Sequence, residues 1–334
     1  MLNGRKRKFF LSIIGFLSVL GGCGELINNN ELVIKDIQTV GVNEDAPGKD
    51  YFPNHELTNQ DGETVKFFDD LIKDKVVLLN FIFTSCGSSC PLETARLKKV
   101  ASLLDKRLGR DIFFYSISID PDADSVEILK SYHSRFQLKK GWSFLRGKKE
   151  HVEEIQKRFG LFNGELKKEN FGEHSLNLVM GNQMTGKWIK RSHLEDTTLL
   201  AYSLENLHPM RARPTRLSKF ENAPLRLAEI SKGEQLFYSR CVDCHSIGKD
   251  DGIGPDLYNV VKKRDPKWLN RWLKEPDKMI EEKNPLALSL LKKYKNIPMP
   301  NLRLNDVDVD ALIEFLNQES NAIDLKKRDS YEKK

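Results

Sequence analysis

One short stretch constrains this chain more than any other. It is Thr84-Ser85-Cys86-Gly87-Ser88-Ser89-Cys90-Pro91, which follows a run from Val76 to Phe83 that is apolar except for Asn80. A bounded apolar run of that kind reads as a buried strand. Beyond it, Leu92, Leu97, Val100, Leu103, Leu104 and Leu108 recur near helical spacing, which predicts a helix starting at Pro91. Two thiols therefore stand on a strand-to-helix turn, spaced so that both sulfurs can face one centre. The partial positive charge of a helix N-terminus favours thiolate over thiol. Thiolates bind soft metals or exchange disulfides, and the stretch alone leaves both open.

The 334 residues are enough for two domains, and 31% charged with 39% hydrophobic residues suits folded, soluble bodies. Four of the positive charges behind the net +6 are Arg5, Lys6, Arg7 and Lys8, in a segment of 22 residues that holds no acid. The balance elsewhere gives no reason to expect nucleic acid as a partner. Of the 5 cysteines, Cys86 and Cys90 form one pair, Cys241 and Cys244 another, and Cys23 stands alone.

Residues 1–22 read as a secretory signal, with a basic start and an apolar core from Phe9 to Leu20. That core is shorter than the ~20 apolar residues a bilayer span needs. Leu20-Gly21-Gly22-Cys23 resembles a bacterial lipoprotein box. The resemblance implies cleavage before Cys23, lipidation of that sulfur and a tether over 23–45; the alternative is an uncleaved anchor. Both readings put the remainder on the periplasmic side of a bacterial membrane.

Residues 46–205 read as one α/β domain. Asn59-Gln60-Asp61-Gly62 is a turn signal, Ile112–Ile119 and Leu176–Met180 read as strands, Val126–Phe136 reads as helix, and Thr185-Gly186-Lys187 is a hairpin-like turn before Trp188-Ile189. A dithiol where the first long strand meets its helix is similar to the thioredoxin arrangement. Asn80 to Cys86 with Cys90-Pro91, then Ser118-Ile119-Asp120-Pro121 and Glu173-His174-Ser175, resemble the Sco/SenC family, as do Gln60-Asp61-Gly62 and Phe68-Asp69-Asp70-Leu71. The resemblance covers most of 50–205. It implies a thioredoxin-like fold and one copper ion held by Cys86, Cys90 and His174. Two thiolates and an imidazole suit Cu(I). His55, His133, His151, His193 and His208 lack such context and read as surface or core residues. Family members usually carry proline after the first cysteine, where this chain has Gly87. Glycine loosens a turn, so copper geometry is expected to be less fixed. Asp120 is read either as orienting a ligand or partner or as starting a turn.

Residues 206–226, with Pro209, Pro214, Pro224 and an excess of Arg and Lys, read as a semi-extended linker. Residues 227–320 read as an all-α cytochrome c domain. Cys241-Val242-Asp243-Cys244-His245 is the c-type haem attachment pattern, in which both thiols bond one haem and His245 binds its iron. Gly233 and Phe237 before it, and Gly252-Ile253-Gly254-Pro255-Asp256-Leu257 after it, resemble class I cytochromes c. There the proline carbonyl orients the proximal histidine. Trp268, Leu269 and Trp272 mark a helix against the haem. Ile297-Pro298-Met299-Pro300 resembles the distal loop, with Met299 as sixth ligand and Met279 as core filler. Asp306 to Phe315 gives a closing helix, and 321–334 a charged, frayed tail.

The chain thus reads as a thioredoxin-like α/β domain followed by an all-α cytochrome c domain. The resemblance implies copper delivery, or dithiol maintenance, at the subunit of cytochrome c oxidase that carries the binuclear copper site. The fused covalent haem would exchange single electrons with the copper-thiolate centre or with other redox partner proteins. The alternatives are an enzyme, either a thiol-disulfide oxidoreductase or a peroxide reductase using Cys86 and Cys90, and a simple electron carrier with a docking domain.

Overall fold

The strand after the first short hairpin organises the first module. In a strand, successive side chains point to opposite faces. β3 (Val76–Ile82) accordingly sends Val76, Leu78 and Ile82 into one apolar cluster and Val77, Leu79 and Phe81 into another. Every residue of β3 is buried, as a central strand of a covered sheet requires. The computed structural model describes residues 46–86, 89–162, 177–207 and 230–332.

Around β3 lie β1 (Glu56–Asn59), β2 (Thr64–Lys66), β4 (Ile112–Ser118), β5 (Trp142–Arg146), β6 (Asn177–Asn182) and β7 (Lys187–Ser192). They form one mixed seven-stranded sheet in the order β2-β1-β5-β4-β3-β6-β7. β3, β4 and β5 are parallel, joined by crossovers through α1 (Ser89–Leu104) and α2 (Val126–Phe136). The outer pairs are antiparallel. α1, α2 and α4 (Thr197–Leu207) cover one face, and a π-helical turn over Phe67–Ile72 with α3 (Lys149–Arg158) covers the other.

The expected strand after Lys75 and the helix Val126–Phe136 are found. Two details differ from expectation. α1 starts at Ser89, so Cys90 lies inside its first turn. Leu103 faces solvent at 43% exposure, and Leu108 lies beyond the helix end.

The second module is helical: α5 (Lys232–Arg240), α6 (Val260–Lys263), α7 (Pro266–Lys274), α8 (Pro276–Glu281), α9 (Pro285–Lys293) and α10 (Asp306–Glu332). Four of these begin with side-chain caps: Ser231 on Glu234 N, Asp265 on Trp268 N, Asn284 on Ala287 N and Asn305 on Asp308 N. Each such cap is worth about 1 kcal/mol. α5 packs so closely on α10 that a Cβ on Gly233 would lie 2.0 Å from the Ala311 carbonyl oxygen. α10 extends to Glu332, so the frayed tail expected from 321 onward is instead helical. Lys262 reaches Asn321, Tyr258 donates to Asp324, and Ser320 Oγ accepts from Asn259 N at 3.0 Å. These bonds tie the extension to the module. Both modules belong to one compact unit. No described helix is long and apolar enough to cross a membrane.

Candidate functional site

Phe83 ends the buried strand, and the chain turns at once, Cys86 N donating to Phe83 O at 3.3 Å. Asp124 holds the start of this turn. Its carboxylate accepts from Thr84 N at 3.2 Å, Thr84 Oγ1 at 2.5 Å and Ser118 Oγ at 2.5 Å. The reading by sequence singled out Asp120 in this loop. Asp120 is buried too, its amide bonded to Ser118 Oγ, but Asp124 is the residue that grips the thiol turn. The Asp-Pro-Asp-Ala-Asp run marked the loop without saying which carboxylate pointed inward.

Cys86 and Cys90 are 3% and 0% exposed. Cys90 N donates to Cys86 Sγ at 3.5 Å, so an amide of the first turn of α1 supports charge on that sulfur. Cys90 behaves otherwise. The neighbouring Cys86 side chain and burial push its thiol well above the usual range. At Cys90 desolvation and the second sulfur oppose the favourable end of the helix. Below them lies Glu93, 1% exposed, whose carboxyl burial pushes up to about 8. Gly87 and His174 lie outside the described residues, so the third copper ligand expected from the resemblance does too. Among the described residues no set of three or more His, Cys, Asp or Glu converges as a metal site.

The second module builds an apolar cavity walled by Phe237, Leu257, Trp268, Trp272 and Leu312, with Cys241, Cys244, His245 and Met299 on its lining. Trp268 and Trp272 stack at 5.2 Å along one side of α7. His245 Nδ1 lies 2.8 Å from the Pro255 carbonyl, which fixes Nδ1 as the donor and leaves the Nε2 lone pair for a ligand. Burial lowers the pKa of this imidazole, which favours its neutral form. Burial also pushes the Cys241 and Cys244 thiols up to about 12. Met279 is 1% exposed in a small cluster with Trp272 and Ala287 and does not line the cavity, as its reading as filler requires. The loop of Met299 is pinned by Arg240, which donates to Leu302 O at 3.2 Å, and by Asn301, which donates to Asp277 at 2.9 Å.

The other described histidines are structural: His55 stacks on His151 at 4.0 Å, His133 packs edge-on to Phe144 and His193 is buried. His208 and Cys23 lie outside the described residues.

The SCO1/SenC family profile matches residues 43–198, and the cytochrome c profile matches residues 230–320. The chain carries a SCO1/SenC domain followed by a cytochrome c domain. It is 28% identical to a SCO2-like protein of Rickettsia felis over 146 residues, 42% of this chain and 69% of that protein. It is similar to a SCO1/SenC family lipoprotein from Bacillus anthracis, 27% identical, covering 47% of this chain and 94% of that one, with a TM-score of 0.41. The cytochrome c domain of the pp3183 protein from Pseudomonas putida is 49% identical, covering 27% of this chain and 88% of that one, with a TM-score of 0.26.

The cytochrome c domain fits a haem by its own geometry. A Cβ at position 254 would stand 2.5 Å from His245 Cε1, so any side chain there would displace the imidazole. Both thiols, the oriented histidine and Met299 line one apolar cavity.

Proposed function

We propose that this chain handles copper on the periplasmic side of a bacterial membrane, tethered through Cys23. It delivers copper to the binuclear copper site of cytochrome c oxidase or maintains the dithiol there. The observation that carries the reading is the placement of two buried cysteines at the start of α1, next to Pro91. Pro91 is itself part of the wall of the cavity that His245 and Met299 line. Support for copper as the cargo comes from the Sco/SenC resemblance, which pairs Cys86 and Cys90 with His174.

In this reading Cys86 and Cys90 give up their protons as Cu(I) binds, and Asp124 holds the start of the turn that leads to Cys86. Cys241 and Cys244 would hold one haem covalently, and His245 and Met299 would bind its iron. Such a group supplies single-electron exchange at a raised potential. The Pro255 carbonyl orients His245, and the apolar wall of Trp268, Trp272 and Leu312 keeps water out.

The test is an anaerobic copper titration of the full haem-loaded chain, with metal analysis, optical spectra and EPR. One copper per haem with thiolate-to-copper bands is expected, and the Cys86→Ser, Cys90→Ser double variant should lose it. A chain that ignores copper yet exchanges disulfides would be an oxidoreductase instead. A double variant that still supports oxidase assembly would leave a plain electron carrier.

A further inference from the structure

Arg96 stands on α1, six residues past Cys90, and is 4% exposed. A guanidinium has five N–H donors in a fixed fork. Here all five find oxygen. Nε donates to His193 O at 2.8 Å, and Nη2 to Leu194 O at 3.3 Å and Glu195 O at 2.6 Å. Nη1 donates across the seam between the modules, to Ser239 O at 3.1 Å and Asp243 Oδ2 at 2.8 Å. Asp243 lies inside the haem attachment pattern, and its side chain is 9% exposed. Three acceptors belong to the SCO1/SenC domain and hold the fork open toward the other two. Burying such a charge is costly unless every bond is made. A socket this complete is a specific fit and not a chance surface contact.

The rest of the seam agrees. Ile253 and Ile297 of the cytochrome c domain pack against the core cluster that contains Cys86 and Cys90. Arg135 donates to Asn296 O at 3.0 Å. Lys98 opposes closure: burial and the charge of Lys295 across the seam lower its pKa. The buried pair at Arg96 therefore works against like-charge repulsion beside it.

We propose that Arg96 is the positioning residue by which α1 docks the haem attachment motif of its own chain, through Asp243. The docked form covers the dithiol, so copper passes to an outside acceptor only when Arg96 and Asp243 part. The second half rests on the copper reading above; the first does not.

The experiment uses the full haem-loaded chain and Asp243→Asn, which removes the charge while leaving the three carbonyls around Arg96 in place. Arg96→Leu and Arg96→Lys are the second and third variants. Small-angle scattering reads docking without any copper. It should show a larger radius of gyration for Asp243→Asn and Arg96→Leu, with Arg96→Lys between them and wild type. Haem content and far-UV circular dichroism report folding; should Arg96→Leu not fold, Asp243→Asn carries the test. For the copper-loaded chain, capture of Cu(I) by the chelator bathocuproine disulfonate should quicken about tenfold in Asp243→Asn, the expected scale for losing a buried charged hydrogen bond. Unchanged scattering in both Asp243→Asn and Arg96→Leu overturns the docking role. Open scattering with an unchanged capture rate overturns the covering role. A wild-type chain that never binds copper overturns the copper reading alone, since the scattering result stands without it.

Discussion

Glu93→Gln is the substitution whose effect the structure sets most directly. Glu93 is 1% exposed in the second turn of α1. Burial pushes its carboxyl from 4.5 up to about 8; the nearby Asn80 amide takes back part of that push, and Cys86 adds to it. Neither Glu93 Oε2 nor Asn80 Nδ2 completes a hydrogen bond of good geometry. The gap between 4.5 and about 8, at 1.36 kcal/mol per pH unit, amounts to about 5 kcal/mol. The folded chain holds this proton more tightly than the unfolded chain. The stability it contributes is thus complete below pH 4.5 and drains away as pH rises through 8, about 3 kcal/mol being gone by pH 7. Glutamine keeps the shape and cannot ionise. In copper-free, reduced protein, Glu93→Gln should gain on wild type by about 3 kcal/mol between pH 5 and pH 8. Urea unfolding, with hydrogen exchange of the β3 amides to isolate this domain, measures that difference. A difference that stays constant within about 0.5 kcal/mol across the range would refute the claim that Glu93 is held as a neutral acid.

Two further outcomes follow from the site geometry. Gly254→Ala places a methyl 2.5 Å from His245 Cε1 and 2.9 Å from Nδ1, so the ring must tilt off the Pro255 carbonyl. The chain should fold with unchanged far-UV circular dichroism, but the low-spin, six-coordinate haem fraction in its optical spectrum should fall; a wild-type spectrum counts against the cradle. Asp124→Ala strands Thr84 N, Thr84 Oγ1 and Ser118 Oγ in a buried site, which should cost about 2–4 kcal/mol in urea unfolding and weaken Cu(I) binding about tenfold. Asp124→Asn keeps an acceptor and should recover most of both, and equal losses in the two variants would show that Asp124 does not act through those bonds.

The main architecture was legible because it rests on local chemistry. The run at Val76 is apolar along almost its whole length, as a strand covered on both faces must be. His245 and Pro255 lie ten residues apart, close enough for a loop resemblance to bring them together. β5 and α3 escaped notice: Trp142–Arg146 is five residues long, and Lys149–Arg158 is mostly charged, with Val152 and Ile155 as its buried anchors. Asp243 stands in the haem attachment pattern at a position the pattern leaves open. Its partner Arg96 is 147 residues away, and no local pattern relates residues at that distance.

α1 shows why such a partner had to exist. A helix laid on one face of a sheet buries one stripe and leaves its polar residues in water. Cys90 to Leu97 are buried without a break, and Glu93, Thr94 and Arg96 among them are 1%, 1% and 4% exposed. Thr94 is satisfied within the domain, by Tyr132 at 3.1 Å. Arg96 is not, because two of its five bonds leave for the cytochrome c domain. Without that domain, two guanidinium N–H groups would face water and three of the five bonds would remain. The sequence of α1 thus makes physical sense only as a helix with a second packing partner. The chain supplies that partner itself, and covalent tethering raises the local concentration of one domain about the other to about millimolar.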